Sequence, residues 1–235
     1  DMRNMGGIWK KIPTTYALIW IGSLALAGLP WFAGYYSKDL ILEAAWADQT
    51  DHGLFAFWLG IAAALLTAFY SWRLIIMTFH GKPRADKKVM DHIHESPFVM
   101  LVPLFVLAFG ALFSGAFLYK AFAGHHYLEF WNGAITVLPE NDTVEAAHHV
   151  PYWVKKLPIV MAVIGIIGAY FAYLWLPILN RLAVKLFKPL HVLWLNKYYV
   201  DDIYDLLFVR TARQLGQFFF KIGDGAMING LGPDG

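Results

Sequence analysis

The sequence contains no cysteine, which excludes disulfides, thiolate metal sites, iron–sulfur ligation and cysteine nucleophiles within this chain. Charge is also scarce. Asp, Glu, Lys and Arg make up 15% of the 235 residues, against about 25% in an ordinary soluble domain. The net charge of +2 is too small to argue for a nucleic-acid partner, and no basic run alternates with aromatics. There is no Gly-x-Gly-x-x-Gly, no P-loop and no Gly-x-Ser-x-Gly, so no nucleotide or acyl-enzyme motif is present. A signal-peptide pattern is missing too, and the chain reads as a piece of a longer protein.

What replaces charge is apolar length. Hydrophobic residues make up 58% of the chain and aromatics 17%. Four stretches carry no charged residue: Ile12–Ser37, Gly53–Trp72, Ser96–Tyr119 and Leu157–Asn180. About 20 apolar residues span the roughly 30 Å hydrocarbon layer of a bilayer, so the last three predict plain transmembrane helices. The first differs. Pro13 to Leu29 predicts a helix with Pro near its first position. Then Gly28-Leu-Pro-Trp-Phe-Ala-Gly34 interrupts it, and a second piece starts near Ser37 as N-cap and runs to about Asp48. Neither piece crosses a membrane alone, so the stretch reads as one broken span.

Orientation supports one span there. Arg3, Lys10, Lys11, Lys82, Arg84, Lys87, Lys88, Arg181, Lys185, Lys188 and Lys197 then fall on one side, and Lys120, Lys155 and Lys156 on the other. The richer side is cytoplasmic. The loop on the opposite side carries Glu129, Glu140, Asp142 and Glu145. Trp9, Trp46, Tyr152 and Trp153 suit an interfacial aromatic belt. Over residues 198–224, polar positions 202, 205, 213, 217, 221 and 224 recur near helical spacing among large apolar residues. That pattern predicts an amphipathic helix lying along the membrane surface or a partner.

The chemistry concentrates at Ser37-Lys38-Asp39. Lys38 lies ten residues before Asp48, and ten residues of helix rise about 15 Å, half of the hydrocarbon core. Lys38 is therefore expected near the midplane, where an unpaired lysine costs about 3 kcal/mol. Asp39 and the carbonyls ending the first half-helix favour its cation, while desolvation favours the neutral amine. Opposed influences of this kind suit a group that loads and releases a proton. The alternative is a break at the surface with Lys38 snorkelling. Glu43, four residues beyond Asp39, extends a polar line on one face or is an ordinary interfacial carboxylate. Arg73 and His80, seven apart, share a helix face and are candidates for proton transfer, or else a snorkelling arginine and an interfacial histidine. The pairs His92/His94, His125/His126 and His148/His149 show no further ligands at metal-site spacing, so no metal site is expected.

Several of these segments carry a family resemblance. Asp1-Met-Arg-Asn-Met-Gly-Gly, Lys10-Lys-Ile-Pro-Thr-Thr-Tyr16, the Leu24–Asp39 stretch and Tyr70-Ser-Trp-Arg…Phe-His-Gly81 resemble the second half of the large antiporter-like subunit of proton-pumping NADH:quinone oxidoreductase, respiratory complex I. The tail Asn196-Lys-Tyr-Tyr-Val-Asp-Asp-Ile-Tyr-Asp and Leu231-Gly-Pro-Asp-Gly resembles that subunit's long lateral helix. The resemblance implies an all-α polytopic membrane protein, an antiporter-like bundle with a broken transmembrane helix followed by the start of an amphipathic lateral helix. It implies the end of the second bundle over 1–95, with a broken helix about 13–48 and the next span about 53–80. Two further transmembrane helices with an acidic outer loop would occupy 96–190, and the lateral helix would start within 191–235. Lys38 takes the place of the family's terminal proton-channel lysine, with Asp39 after it. The implied protein translocates protons, holds no redox cofactor or metal in this chain, and sits in a bacterial plasma (inner) membrane or a mitochondrial inner membrane. Its implied partners are the other membrane subunits of complex I, the lipid bilayer and protons, with no nucleic acid. A subunit of a cation/proton antiporter or membrane-bound hydrogenase, or a non-pumping membrane scaffold, are the other readings.

Overall fold

The computed structural model describes residues 1–138, 142–229 and 232; Glu140 of the acidic loop lies outside them. The described residues form helices and connections without a strand, in two compact units, 1–177 and 178–235.

In the first unit, α1 (Pro13–Ala27) begins on Pro13, whose missing N–H is no loss in the first helical turn. It stops at Gly28, in the left-handed region at φ 75°. Gly28 N–H donates to Ala25 O and Leu29 N–H to Leu24 O, the paired bonds of a Schellman turn. Gly28 to Phe32 then breaks the helix, with Trp31 also held at positive φ (72°) and exposed to solvent or lipid. The second half, α2 (Ala33–Ala47), starts earlier than the N-cap chemistry of Ser37 suggests. Ser37 lies inside it, its Oγ donating to Ala33 O, while Phe32 caps it without a side-chain bond. The reason is close packing. A Cβ on Gly34 would stand 1.8 Å from Ala25 O, so the first turn of α2 lies directly against the last turn of α1.

Helix α3 (Asp51–Phe79) starts on Thr50, whose hydroxyl accepts from Gly53 N–H. It runs antiparallel to both halves. Its C-terminal end meets α1, where Trp72 and Trp20 make an edge contact at 5.3 Å. Its N-terminal end meets α2, where Phe57 packs on Trp46 at 5.1 Å and Leu42 covers Gly60. One 29-residue helix, about 43 Å long, thus backs two 15-residue halves. A short α4 (Lys87–Asp91) occupies the next connection. Helix α5 (Phe98–Ala123) runs alongside the broken span, with Gly115 against Tyr36 and Ala33. The connection after it carries α6 (Tyr127–Trp131) and α7 (Thr143–Ala147). Helix α8 (Tyr152–Tyr170, continued by wider turns to Trp175) runs parallel to α3, with Gly165 against Leu65 O and Ala68. Residues 51–79, 98–123 and 152–175 are long and apolar enough to cross a membrane.

The core is split in two along the bundle. One apolar cluster joins Ala27, Ala68, Trp72, Ile75, Ile76, Ala162 and Ala169. The other joins Leu42, Phe57, Ile61 and Val154. The helix break falls between their levels. At one end of the bundle, Gly7 N–H donates to His80 O and Arg84 Nε to Arg3 O, so the N-terminal residues and the 80–97 connection lie together. The 124–151 connection lies at the other end, where Trp46 and Trp153 meet at 4.8 Å.

The second unit begins at Ile178, after Leu176 and Pro177 end the last span. It comprises α9 (Ile178–Leu186), α10 (Lys188–Leu195), α11 (Val200–Tyr204) and α12 (Arg210–Phe218). Lys197, Tyr198 and Tyr199 all have positive φ and make a kink just where the amphipathic pattern starts. From Val200 the chain is helical to Asn229, with wide turns over Asp205–Val209 and Phe219–Asn229. In such a turn residues five apart align, and Arg210 Nε accordingly donates to Asp205 Oδ2 at 2.7 Å.

Candidate proton-handling site in the helix break

Ending α1 in a Schellman turn leaves Ala27 O without an intrahelical donor. Lys38, on the second turn of α2, supplies one: its Nζ donates to Ala27 O at 2.5 Å. Gly28 makes room for it, since a Cβ there would stand 2.5 Å from Nζ. The ammonium thus sits on the negative end of the first half-helix. Its depth is read from α3: Ser37 and Lys38 line a cavity of about 310 Å³ with Gly60, Ala63, Ala64 and Thr67, the middle of that helix. Lys38 is half-buried, at the level between the two apolar clusters.

Asp39 makes no direct salt bridge to Lys38 among the described residues, although the two lie within electrostatic range of each other. Neighbouring residues on a helix do not face each other. Lys38 turns back to α1, whereas Asp39 turns inward and is 4% exposed. Neither oxygen of its carboxylate has a hydrogen-bond partner among the described residues. Ionisable groups within electrostatic range of it are Lys38, Glu43 and Lys156. Glu43, one turn further along the same face, is half-buried and within range of Lys155. Lys155 and Lys156 begin α8, and Lys155 Nζ donates to His148 O at 2.8 Å. A line of ionisable groups therefore leads from the break to the end of the bundle that carries the 124–151 connection. In the sequence, Lys155 and Lys156 bear only on orientation. Nothing in their spacing from Lys38 signals that α8 brings them beside α2.

Arg73 and His80 share a face of α3 that meets α8, but they lie in the other half of the bundle. Arg73 is about 9 Å along the axis from Thr67, and His80 about 20 Å. Arg73 stacks over the Tyr173 ring at 5.6 Å. The His80 ring receives or gives a hydrogen bond with Tyr16 OH at 2.7 Å and lies against Tyr170 at 6.2 Å. The structure thus groups Lys38, Asp39 and Glu43 and leaves Arg73 and His80 apart from them. Of the histidine pairs, His92 and His94 bond to nearby backbone. His125 and His148 meet each other and Glu145, an association that the sequence hides because these residues come from separate elements.

Residues 1–69 match the family described as NADH:quinone oxidoreductase/Mrp antiporter, transmembrane. The whole chain is similar to longer proteins. It is 36% identical to NADH-quinone oxidoreductase subunit L of Rhodobacter capsulatus, over 98% of this chain and 41% of that protein. It is 37% identical to NADH-ubiquinone oxidoreductase chain 5 of Phytophthora infestans, over 100% of this chain and 36% of that one. It is likewise 37% identical to subunit L of Rickettsia bellii, over 100% of this chain and 36% of that one. The chain is thus similar over its whole length to these oxidoreductase subunits. It is an all-α, multi-pass membrane protein, and it spans about two-fifths of the length of the relatives it matches.

Proposed function

We propose that this chain is part of a proton-translocating membrane subunit of NADH:quinone oxidoreductase, acting in a bacterial inner membrane. Quinone reduction elsewhere in the complex would drive it, and no redox cofactor would bind to this chain. Lys38 exchanges a proton with the half-channel leading to the 124–151 end, and Asp39 and Glu43 assist. The observation that carries this reading is the placement of Lys38 Nζ on the Ala27 carbonyl, in a helix break at the middle of α3. A lysine held there by one backbone oxygen, with an unpartnered buried carboxylate beside it, has few fixed bonds to break when its proton leaves. Arg73 and His80 lie on the opposite half, where they would take part only in the inward half of such a path.

The test is Lys38→Ala in the assembled complex. Proton pumping and coupled NADH oxidation should fall steeply while the subunit remains in place; normal pumping in an assembled variant sinks the assignment. The second reading is an Mrp-type antiporter, which the description of the family matching residues 1–69 names beside the oxidoreductase. Sodium-dependent transport without an NADH-driven partner would select it. A structural scaffold would survive Lys38→Ala with transport unchanged.

A further inference from the structure

Where α5 ends, His125 follows its capping Gly124, and α7 brings Glu145 and His148 to the same place. We propose that His125, Glu145 and His148 form a binding site for a divalent transition-metal ion of the zinc class. One ligand atom from each lies within 4.8 Å of the others. His125 Nδ1 stands 3.0 Å from Glu145 Oε1 and 3.2 Å from Oε2. Bonds of about 2.1 Å to a common ion put neighbouring ligand atoms about 3.0–3.4 Å apart, so this pair needs little movement to receive one; the hydrogen that His125 Nδ1 donates to the carboxylate is released to solvent, or shifts to Nε2, as the ion binds. The His125 and His148 rings are 4.5 Å apart between centroids.

The second observation concerns the proton on His148. Its Nε2 lies 3.1 Å from Ala123 O. A carbonyl only accepts, so Nε2 carries the hydrogen and Nδ1 keeps its lone pair. Metal-ligating imidazoles are held in this way, with the far nitrogen donating to a carbonyl or carboxylate. His149 Nε2, 3.6 Å from Glu145 Oε1, is one protein group near enough to take a fourth position, which water otherwise fills. Two imidazoles and one carboxylate suit zinc, nickel or copper. Calcium and magnesium want six or more oxygens and find one carboxylate here. His126, by contrast, is 82% exposed and pairs only with Glu129, away from the cluster.

A bound ion would join the end of α5 to α7, and α7 packs on α2, the half-helix of Lys38, Asp39 and Glu43. The experiment uses the assembled complex, stripped with a chelator and titrated with Zn²⁺ against a chromophoric competitor. The unmutated complex should bind one more ion than the His125→Ala/His148→Ala double variant, and Glu145→Gln should weaken that site at least about tenfold. His126→Ala should bind as the unmutated complex does. Equal binding by the double variant overturns the proposal. A readout that needs no variant guards against failed assembly. In the unmutated complex Zn²⁺ should protect His125 and His148, but not His126, from carbethoxylation, measured by mass spectrometry. Modification of His125 and His148 undiminished by zinc overturns the proposal equally.

Discussion

The two halves of the bundle treat their ionisable residues differently. At the end holding the N-terminal residues, His80 bonds to Tyr16 and lies against Tyr170, and Arg73 is spread over Tyr173. Aromatic rings flank both, although Arg73 Nε itself has no hydrogen-bond partner among the described residues. At the helix break, Lys38 holds a single backbone carbonyl and Asp39 holds nothing among the described residues. A buried carboxylate without partners is costly and persists where function needs it. One half is therefore built to anchor helices against each other. The other keeps charges available.

The strongest way to break this contrast is at Gly28. Gly28→Ala puts a side chain on a backbone at φ 75° and sets its Cβ 2.5 Å from Lys38 Nζ. Left-handed backbone costs a non-glycine residue about 1–2 kcal/mol. The lysine end is flexible, so it yields and leaves Ala27 O, losing a charged hydrogen bond of about 1.5–3 kcal/mol. Proton pumping should fall nearly as far as in Lys38→Ala, with the subunit assembled. Full pumping in Gly28→Ala would show that the Nζ–carbonyl contact is incidental.

Tyr16→Phe sharpens the comparison from the anchoring side. It removes the hydroxyl bonded to His80 while keeping the ring packed between Phe79 and Trp20. The expected result is about 1 kcal/mol of lost stability, seen as a lower thermal dissociation temperature of the subunit, with pumping unchanged. A large loss of pumping with stability intact would move His80 into the proton path and erase the division drawn above.

Much of this architecture is legible in the sequence, for identifiable reasons. The charge-free runs mark the spans because lipid permits no charge there, and Gly28 with Pro30 marks the break because each disrupts helical backbone. Lys38 stands out because a lysine after 26 uncharged residues is conspicuous. Helix α2 starts at Ala33 and not near Ser37, since capping chemistry is local whereas the Gly34–Ala25 contact that places the helix is tertiary. Lys155 within range of Glu43, Lys156 within range of Asp39, and Glu145 grouped with His125 and His148 are products of helix packing. No spacing rule encodes them.

The smallest effect expected comes from Glu95, at the anchoring end. Its carboxylate reaches back to the start of α1, accepting from Thr14 N–H at 2.8 Å, Thr15 N–H at 3.3 Å and Thr15 Oγ1 at 2.5 Å. It thus caps orphan donors of a helix that has no side-chain cap of its own. Partial burial works to raise its pKa, but the bonds from Thr15, Thr14 and Ser96 outweigh it and hold the carboxyl below the usual glutamate range. The folded pKa is the lower one, so the stabilisation is complete above the ordinary glutamate value. It is lost as pH falls through the depressed value. Glu95→Gln keeps an acceptor but removes the charge at the positive end of α1, which is worth about 0.3–1 kcal/mol. At neutral pH the variant should dissociate at a slightly lower temperature. The difference should shrink to nothing on acidification through that window. If the gap persists below it, Glu95 acts through shape alone, and the anchoring end of the bundle owes nothing to charge at this helix terminus.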